Sequence, residues 1–188
     1  MKKWIKIILL IIATPIILIA TFLLVYIFIN QQEVIEPFEV GKPTAECKIL
    51  IASQGSEFKI NLVERLTEEL ISDNNYLSVV DCTKLQDENE EVWDAIIIIH
   101  TLQVHEMPEE AQAFLSQVDD LSKVMLVSTS GAGDDKVVGF DVDAVSSPSR
   151  STAIDPIVNW ILPKIKLKLV NGEDQLISDE GKPYYVTF

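Results

Sequence analysis

The sequence predicts an α/β domain built on a doubly wound parallel sheet and preceded by one transmembrane helix. Three observations predict it. Ile7 to Ile29 holds 20 apolar residues in 23 positions and no charge. Beyond Lys48, short apolar runs of strand length alternate with amphipathic helical stripes. Those runs lack polar alternation, as strands covered on both faces do.

The first element is the anchor. At about 1.5 Å per residue, its 23 residues reach roughly 35 Å and cross a hydrocarbon core of about 30 Å. A cleaved signal peptide has a shorter apolar stretch, about 7–15 residues, ending in small side chains. Here the run is longer and ends in Tyr26-Ile27-Phe28-Ile29. Thr44-Ala45-Glu46 before Cys47 is too polar for a lipoprotein signal. Pro15 is expected to kink the helix, and Trp4 and Tyr26 stand near its ends, where amphipathic rings favour the headgroup layer. Lys2, Lys3 and Lys6 precede the span, whereas the first basic residue after it is Lys42, behind Glu33, Glu36 and Glu39. Positive charge stays on the cytoplasmic side. The expected topology is a single-pass protein with a cytoplasmic N-terminus and an extracytoplasmic domain, periplasmic where there are two membranes.

Residues 31–46 carry acidic residues, Pro37, Gly41 and Pro43 without a sustained apolar period, and are expected to form a linker. The domain is expected over 47–170. Its strands are Lys48 to Ser53, Tyr76 to Asp81, Ala95 to His100, Lys123 to Thr129 and a shorter Val142 to Val145. The first helix carries the stripe Leu62, Val63, Leu66, Leu70 and Ile71, with Ser56 as N-cap and Asp73-Asn74-Asn75 as its end. A second starts at Pro108, with Glu109 and Glu110 in the first turn and Ala111, Phe114, Leu115 and Val118 as its stripe. A third opens at Asp155-Pro156 and buries Ile157, Val158, Ile161 and Leu162. Gln86 to Glu91 is too short to read as a helix. Beyond Pro163 two readings stand: Ile165 and Leu169 continue a helical stripe, while Lys164 to Leu169 also alternates like a strand before an Asn171-Gly172 turn. Residues 171–188 are expected to be a tail or peripheral strand.

Charge narrows the partners. Past residue 30 there are 12 basic against 29 acidic residues, a net −17, which excludes a nucleic-acid binder because phosphates need a basic face. Two cysteines and two histidines form no zinc spacing, and no nucleophile elbow, Walker loop or metalloprotease motif occurs. No catalytic residue or metal ligand is therefore named. His100 and His105 read as ordinary loop residues.

Three loops at the strand ends carry a resemblance. Ser53-Gln54-Gly55-Ser56-Glu57 follows the first strand, His100 to Pro108 the third, and Ser130-Gly131-Ala132-Gly133-Asp134 the fourth. Over Lys48 to Leu169 the chain resembles flavodoxin-like proteins, which implies strand order 2-1-3-4-5, FMN as cofactor and electron transfer. By that resemblance Ser53, Gly55 and Ser56 would hold the phosphate, Thr101 would lie beside the flavin, and Ser130, Gly131, Gly133 and Asp134 would hold the ring edge. The sequence departs from the family pattern in all three loops: the first carries Glu57 and a thinned run of Ser and Thr, the second has no Trp, Tyr or Phe, and no tyrosine follows Asp134. The first loop reads also as a strand-to-helix turn with an N-cap, and the third as a plain turn. Two functions stand at this point: a membrane-anchored, FMN-binding electron carrier with a redox or protein partner, and an FMN-free binding or assembly module at the membrane surface.

The charge asymmetry generates a prediction. Protease added to intact spheroplasts should degrade the domain. Protection until lysis would reverse the orientation.

Overall fold

Alternate residues of the central strands enter cores on opposite faces of the sheet, which is why their Ile, Leu and Val runs are uninterrupted. A computed structural model describes residues 2–29, 33–72, 74–133, 137, 139–171 and 185–187. The chain divides into two units, Met1–Gln32 and Glu33–Phe188.

The first unit is helix α1, Lys2–Ile29, long and apolar enough to cross a membrane. It continues through Pro15 without a break. The Thr14 and Thr21 hydroxyls donate to the carbonyls of Leu10 and Ile17, both at 2.8 Å, so neither polar group is left without a partner in an apolar setting.

The second unit is an α/β sheet domain. Its elements are β1 (Glu33–Val34), β2 (Phe38–Val40), β3 (Cys47–Gly55), α2 (Glu57–Leu70), β4 (Asn75–Asp81), β5 (Ala95–Thr101), α3 (Glu109–Leu115), β6 (Val124–Ser130), β7 (Asp143–Pro148), α4 (Asp155–Asn171) and β8 (Tyr185–Thr187). The sheet order is β2-β4-β3-β5-β6-β7-β8, with β1 paired to β3. Strands β4, β3, β5, β6, β7 and β8 run parallel, while β2 on β4 and β1 on β3 are antiparallel. One core packs Ile49, Ile51, Ile97, Ile99 and Val127 against α2 and α4. The other packs Leu50, Ile96, Ile98 and Leu126 against α3 and a 3-10 helix, Cys82–Asp87. Two-sided coverage makes both faces of each strand apolar, so the period-2 signal vanishes.

Several expectations change. The expected linker is not free of the sheet: Glu33–Val34 and Phe38–Val40 are strands, and Ile35 between them is buried. Pro108 caps α3 from outside it, and Cys82–Asp87 and Glu90–Val92 are 3-10 turns. Beyond Pro163 the helical reading holds, and α4 runs to Asn171. Its stripe explains why: Ile157, Val158, Ile161 and Ile165 lie fully or almost fully buried in one core, and Lys164 and Lys168, one turn apart, both pair with Asp143 at 2.8 and 3.3 Å. A strand would have put Lys164, Lys166 and Lys168 on one face. Asp73 at the expected end of the first helix, Gly172 of the turn signal and residues 172–184 lie outside the described residues.

The cysteines follow from the register. Cys47 starts β3 opposite Asn75, and Cys82 follows the far end of β4, so about 20 Å separates them at roughly 3.3 Å per residue. No disulfide joins them. The Cys82 thiol is buried, donates to the Ile99 carbonyl at 3.6 Å, and is pushed up to about 12 by burial and by Asp81. Alkylation of the folded chain should label half-buried Cys47 and spare Cys82 until denaturant is added. Rapid native labelling of both would contradict this packing.

Candidate functional site

At their C-terminal ends the strands stop being apolar, all at nearly one level. Thr101, Thr129 and Ser147 form one register row across β5, β6 and β7, and His100, Ser128 and Ser146 form the row behind it. All but Thr101 are buried. The Thr101 and Thr129 hydroxyls are 3.0 Å apart, and Thr129 also donates to the His100 carbonyl at 3.3 Å. His100 is no loop residue: it lies in β5, fully buried, with Nε2 3.1 Å from the Ser128 Oγ. Burial pushes its pKa down to about 4, which keeps the ring neutral at ordinary pH. Its Nδ1 and the Ser147 Oγ have no hydrogen-bond partner among the described residues.

The centre of this edge is Lys59, a residue the sequence reading did not single out. It sits in the first turn of α2 and is 1% exposed. Its Nζ donates to Thr101 Oγ1 at 2.6 Å and to Gln54 Oε1 at 3.2 Å. The same Gln54 oxygen accepts the Thr101 N–H at 2.8 Å, so one amide oxygen ties β3, β5 and α2 together. Burial lowers the Lys59 pKa to about 8, with Cys82 and Asp81 acting in the opposite direction. Asp81 is buried too, but its oxygens are taken: Oδ2 accepts the Ile35 N–H at 3.0 Å, and Oδ1 accepts the Thr83 N–H and hydroxyl at 2.9 and 2.7 Å. A sequence signal for Lys59 existed, since it falls on the helical stripe of Val63, Leu66 and Leu70.

Gln54 and Thr101 also line a cleft of about 450 Å³, whose walls come from Gln103 to Glu110. It opens between the ends of β3 and β5, where the strand order reverses and where doubly wound sheets bind ligands. One wall is a tight turn, Gln103 to Glu106, closed by two backbone bonds of 2.9 Å. Val104 and His105 at its tip have φ of 54° and 67°. A β-branched residue there is strained by roughly 1–3 kcal/mol. Val104 is 92% exposed, and Glu106, Glu109 and Glu110 add carboxylates to the walls.

The site residues expected from sequence scatter along this edge. Thr101 belongs to the cleft. Ser53 is buried and bonds the Gln54 carbonyl at 2.9 Å. Ser56 caps α2, its Oγ accepting the Lys59 N–H at 3.3 Å, and is the single residue between β3 and α2. Gly55 does not stand in an open loop. It pairs with Glu33 of β1, and a Cβ on it would lie 2.5 Å from the Glu33 carbonyl carbon and oxygen. Ser130 holds the Gly133 N–H on its Oγ at 2.9 Å and Ser149 on its carbonyl at 2.7 Å. Gly133, at φ +81°, lies against the Pro148 ring, whereas Gly131 has open space around it. Asp134 lies outside the described residues.

These residues do not fit FMN. A phosphate at Gly55 would meet the Glu33 carbonyl in place of a ring of N–H donors, and the second loop offers no aromatic side chain to stack on a flavin. Comparison of the chain with protein-family models and with curated proteins finds no match.

Lys59 generates a pH prediction. Below about pH 8 it is protonated folded and unfolded, and its burial opposes folding in full. Between about 8 and its ordinary 10.5 the unfolded chain keeps a proton that the folded chain has lost, so stability rises with pH. The stability advantage of a Lys59→Met variant over the wild type, read from urea unfolding, should therefore shrink across that window. A difference that is constant with pH would count against a charged, buried Lys59.

Proposed function

We propose that the chain is a single-pass membrane protein, cytoplasmic at its N-terminus, whose extracytoplasmic domain is an FMN-free binding module of flavodoxin-like order. The six parallel strands stand in the order β4-β3-β5-β6-β7-β8, the second of them outside the first and the later ones following on the other side. That order supports the fold-level reading and says nothing of a cofactor, because one fold hosts many functions.

One observation carries the reading. The cleft at the strand-order reversal has a polar floor, Gln54 and Thr101 over Lys59, while the position where a phosphate would dock is closed by the chain's own β1. A volume of about 450 Å³ is enough for a small molecule or a few side chains of a partner. The cleft offers an amide, a hydroxyl and three carboxylates as polar partners, and the Lys59 ammonium is already bonded to Thr101 and Gln54 beneath its floor. Binding is the chemistry that this arrangement performs.

The purified chain should carry no flavin absorption, and adding it to FMN should leave flavin fluorescence unquenched at protein concentrations up to about 1 mM. A small-molecule fragment screen read by nuclear magnetic resonance should shift the amides of Thr101, Gln103 and Met107 and leave those of α4 in place. Tight FMN binding would restore the electron-carrier reading. Fragments that gather elsewhere would remove the cleft from consideration.

A further inference from the structure

The segment Glu33–Ile35 is the first described stretch after α1, four residues beyond Ile29. It lies as a strap over the C-terminal end of the sheet. Val34 pairs with Gln54 and Glu33 with Gly55, in antiparallel register. The Ile35 side chain enters the core shared with Phe58 and Leu62 of α2, and its N–H is held by the Asp81 carboxylate at 3.0 Å.

Gln54 is the residue on which two functions meet. Its backbone is paired by the strap, and its side chain forms the cleft floor, holding Thr101 and Lys59. A second route runs from the Ile35 N–H to Asp81, which acts electrostatically on Lys59, and from Lys59 to Thr101. The first route is made of hydrogen bonds throughout, and the second has hydrogen bonds at both ends with an electrostatic step between Asp81 and Lys59. Glycine at position 55 is required because any Cβ would strike the strap's own backbone. The strap is also the part best able to let go. It has two ladder rungs, its Glu33 and Val34 side chains are exposed, and Ile35 is its one buried residue. Such short, exposed pairings lie at the low end of local stability.

We propose that docking of this strap and the geometry of the cleft floor are one linked equilibrium, so that the occupancy of the cleft sets the state of the segment leading to the apolar helix. Linkage is reciprocal: whatever orders Gln54 and Thr101 favours the docked strap, and release of the strap loosens the floor. The word occupancy rests on the binding reading above. The linkage itself does not, and it is measured without any ligand.

Two amides report the two ends, because each donates to a side chain: Ile35 to Asp81 and Thr101 to Gln54. Hydrogen exchange is followed on the full chain in lipid nanodiscs. Thr101→Val removes the Lys59 acceptor, and Gln54→Ala removes the floor amide while leaving the backbone that pairs with Val34. Each should speed Ile35 exchange by about tenfold, and Gly55→Ala should speed Ile35 and Thr101 together by a similar factor. Lys166→Gln, exposed on α4 and away from the cleft, should leave both at wild-type rates. Unchanged protection of Ile97 and Val127 shows that the sheet is intact. If Gly55→Ala loses that protection, the two floor variants decide alone. Wild-type exchange at Ile35 in both floor variants would overturn the proposal, as would a Gly55→Ala chain in which Ile35 is freed and Thr101 is not. Because no ligand is added, these outcomes stand apart from the fragment screen.

Discussion

A single buried ammonium, that of Lys59, organises the C-terminal edge of the sheet. Lys59 reaches Thr101 on β5 and Gln54 on β3, and Thr101 passes the contact to Thr129 on β6. Burial of such a charge opposes folding unless every donor is met, so the surrounding residues have little freedom to change. The Asp81 carboxylate lies close enough to act on it electrostatically but spends its hydrogen bonds on Ile35 and Thr83. The ammonium is therefore held by neutral oxygens and balanced at a distance. This explains how it keeps a proton at neutral pH and yields it near 8, well below an exposed lysine.

The same edge shows how the strands combine stability with a site. Ile96 to Ile99 are completely buried, and the chain then turns to His100 and Thr101. Val124 to Val127 is followed by Ser128, Thr129 and Ser130, and Ala144-Val145 by Ser146 and Ser147. The switch falls at one height because parallel strands keep register. Below it the sheet is held by apolar burial, and above it by hydroxyls and a neutral imidazole.

Much of this was legible in the sequence, and the misses have physical causes. The central strands and α2 announced themselves through apolar runs and a helical stripe. Strands β1 and β2, of two and three residues, are shorter than any run that periodicity can resolve, and Ile35 alone is no pattern. Gly55 was assigned to a loop because its contact is with Glu33, 22 positions earlier, and local spacing carries no trace of it. Lys59 was passed over because a lysine on an amphipathic helix is ordinarily solvated; its place on the apolar stripe was the signal. Lys164 to Leu169 satisfies both periods, and what favours the helix comes from elsewhere in the fold: the core that buries Ile165 and the Asp143 carboxylate of β7. His100 closes the expected strand and opens the expected loop, and the observed strand runs one residue further, to Thr101, which leaves His100 inside it.

The closure of Gly55 by Glu33 has a consequence for selectivity. The N-terminal end of a helix behind a glycine is where phosphate groups commonly lodge. Here a carbonyl oxygen, with the Glu33 side chain beside it, occupies the approach to Gly55. A phosphate brought to Gly55 would meet that oxygen, in a domain that already carries a large negative charge. Any group reaching the start of α2 from this side would first have to displace β1 from β3.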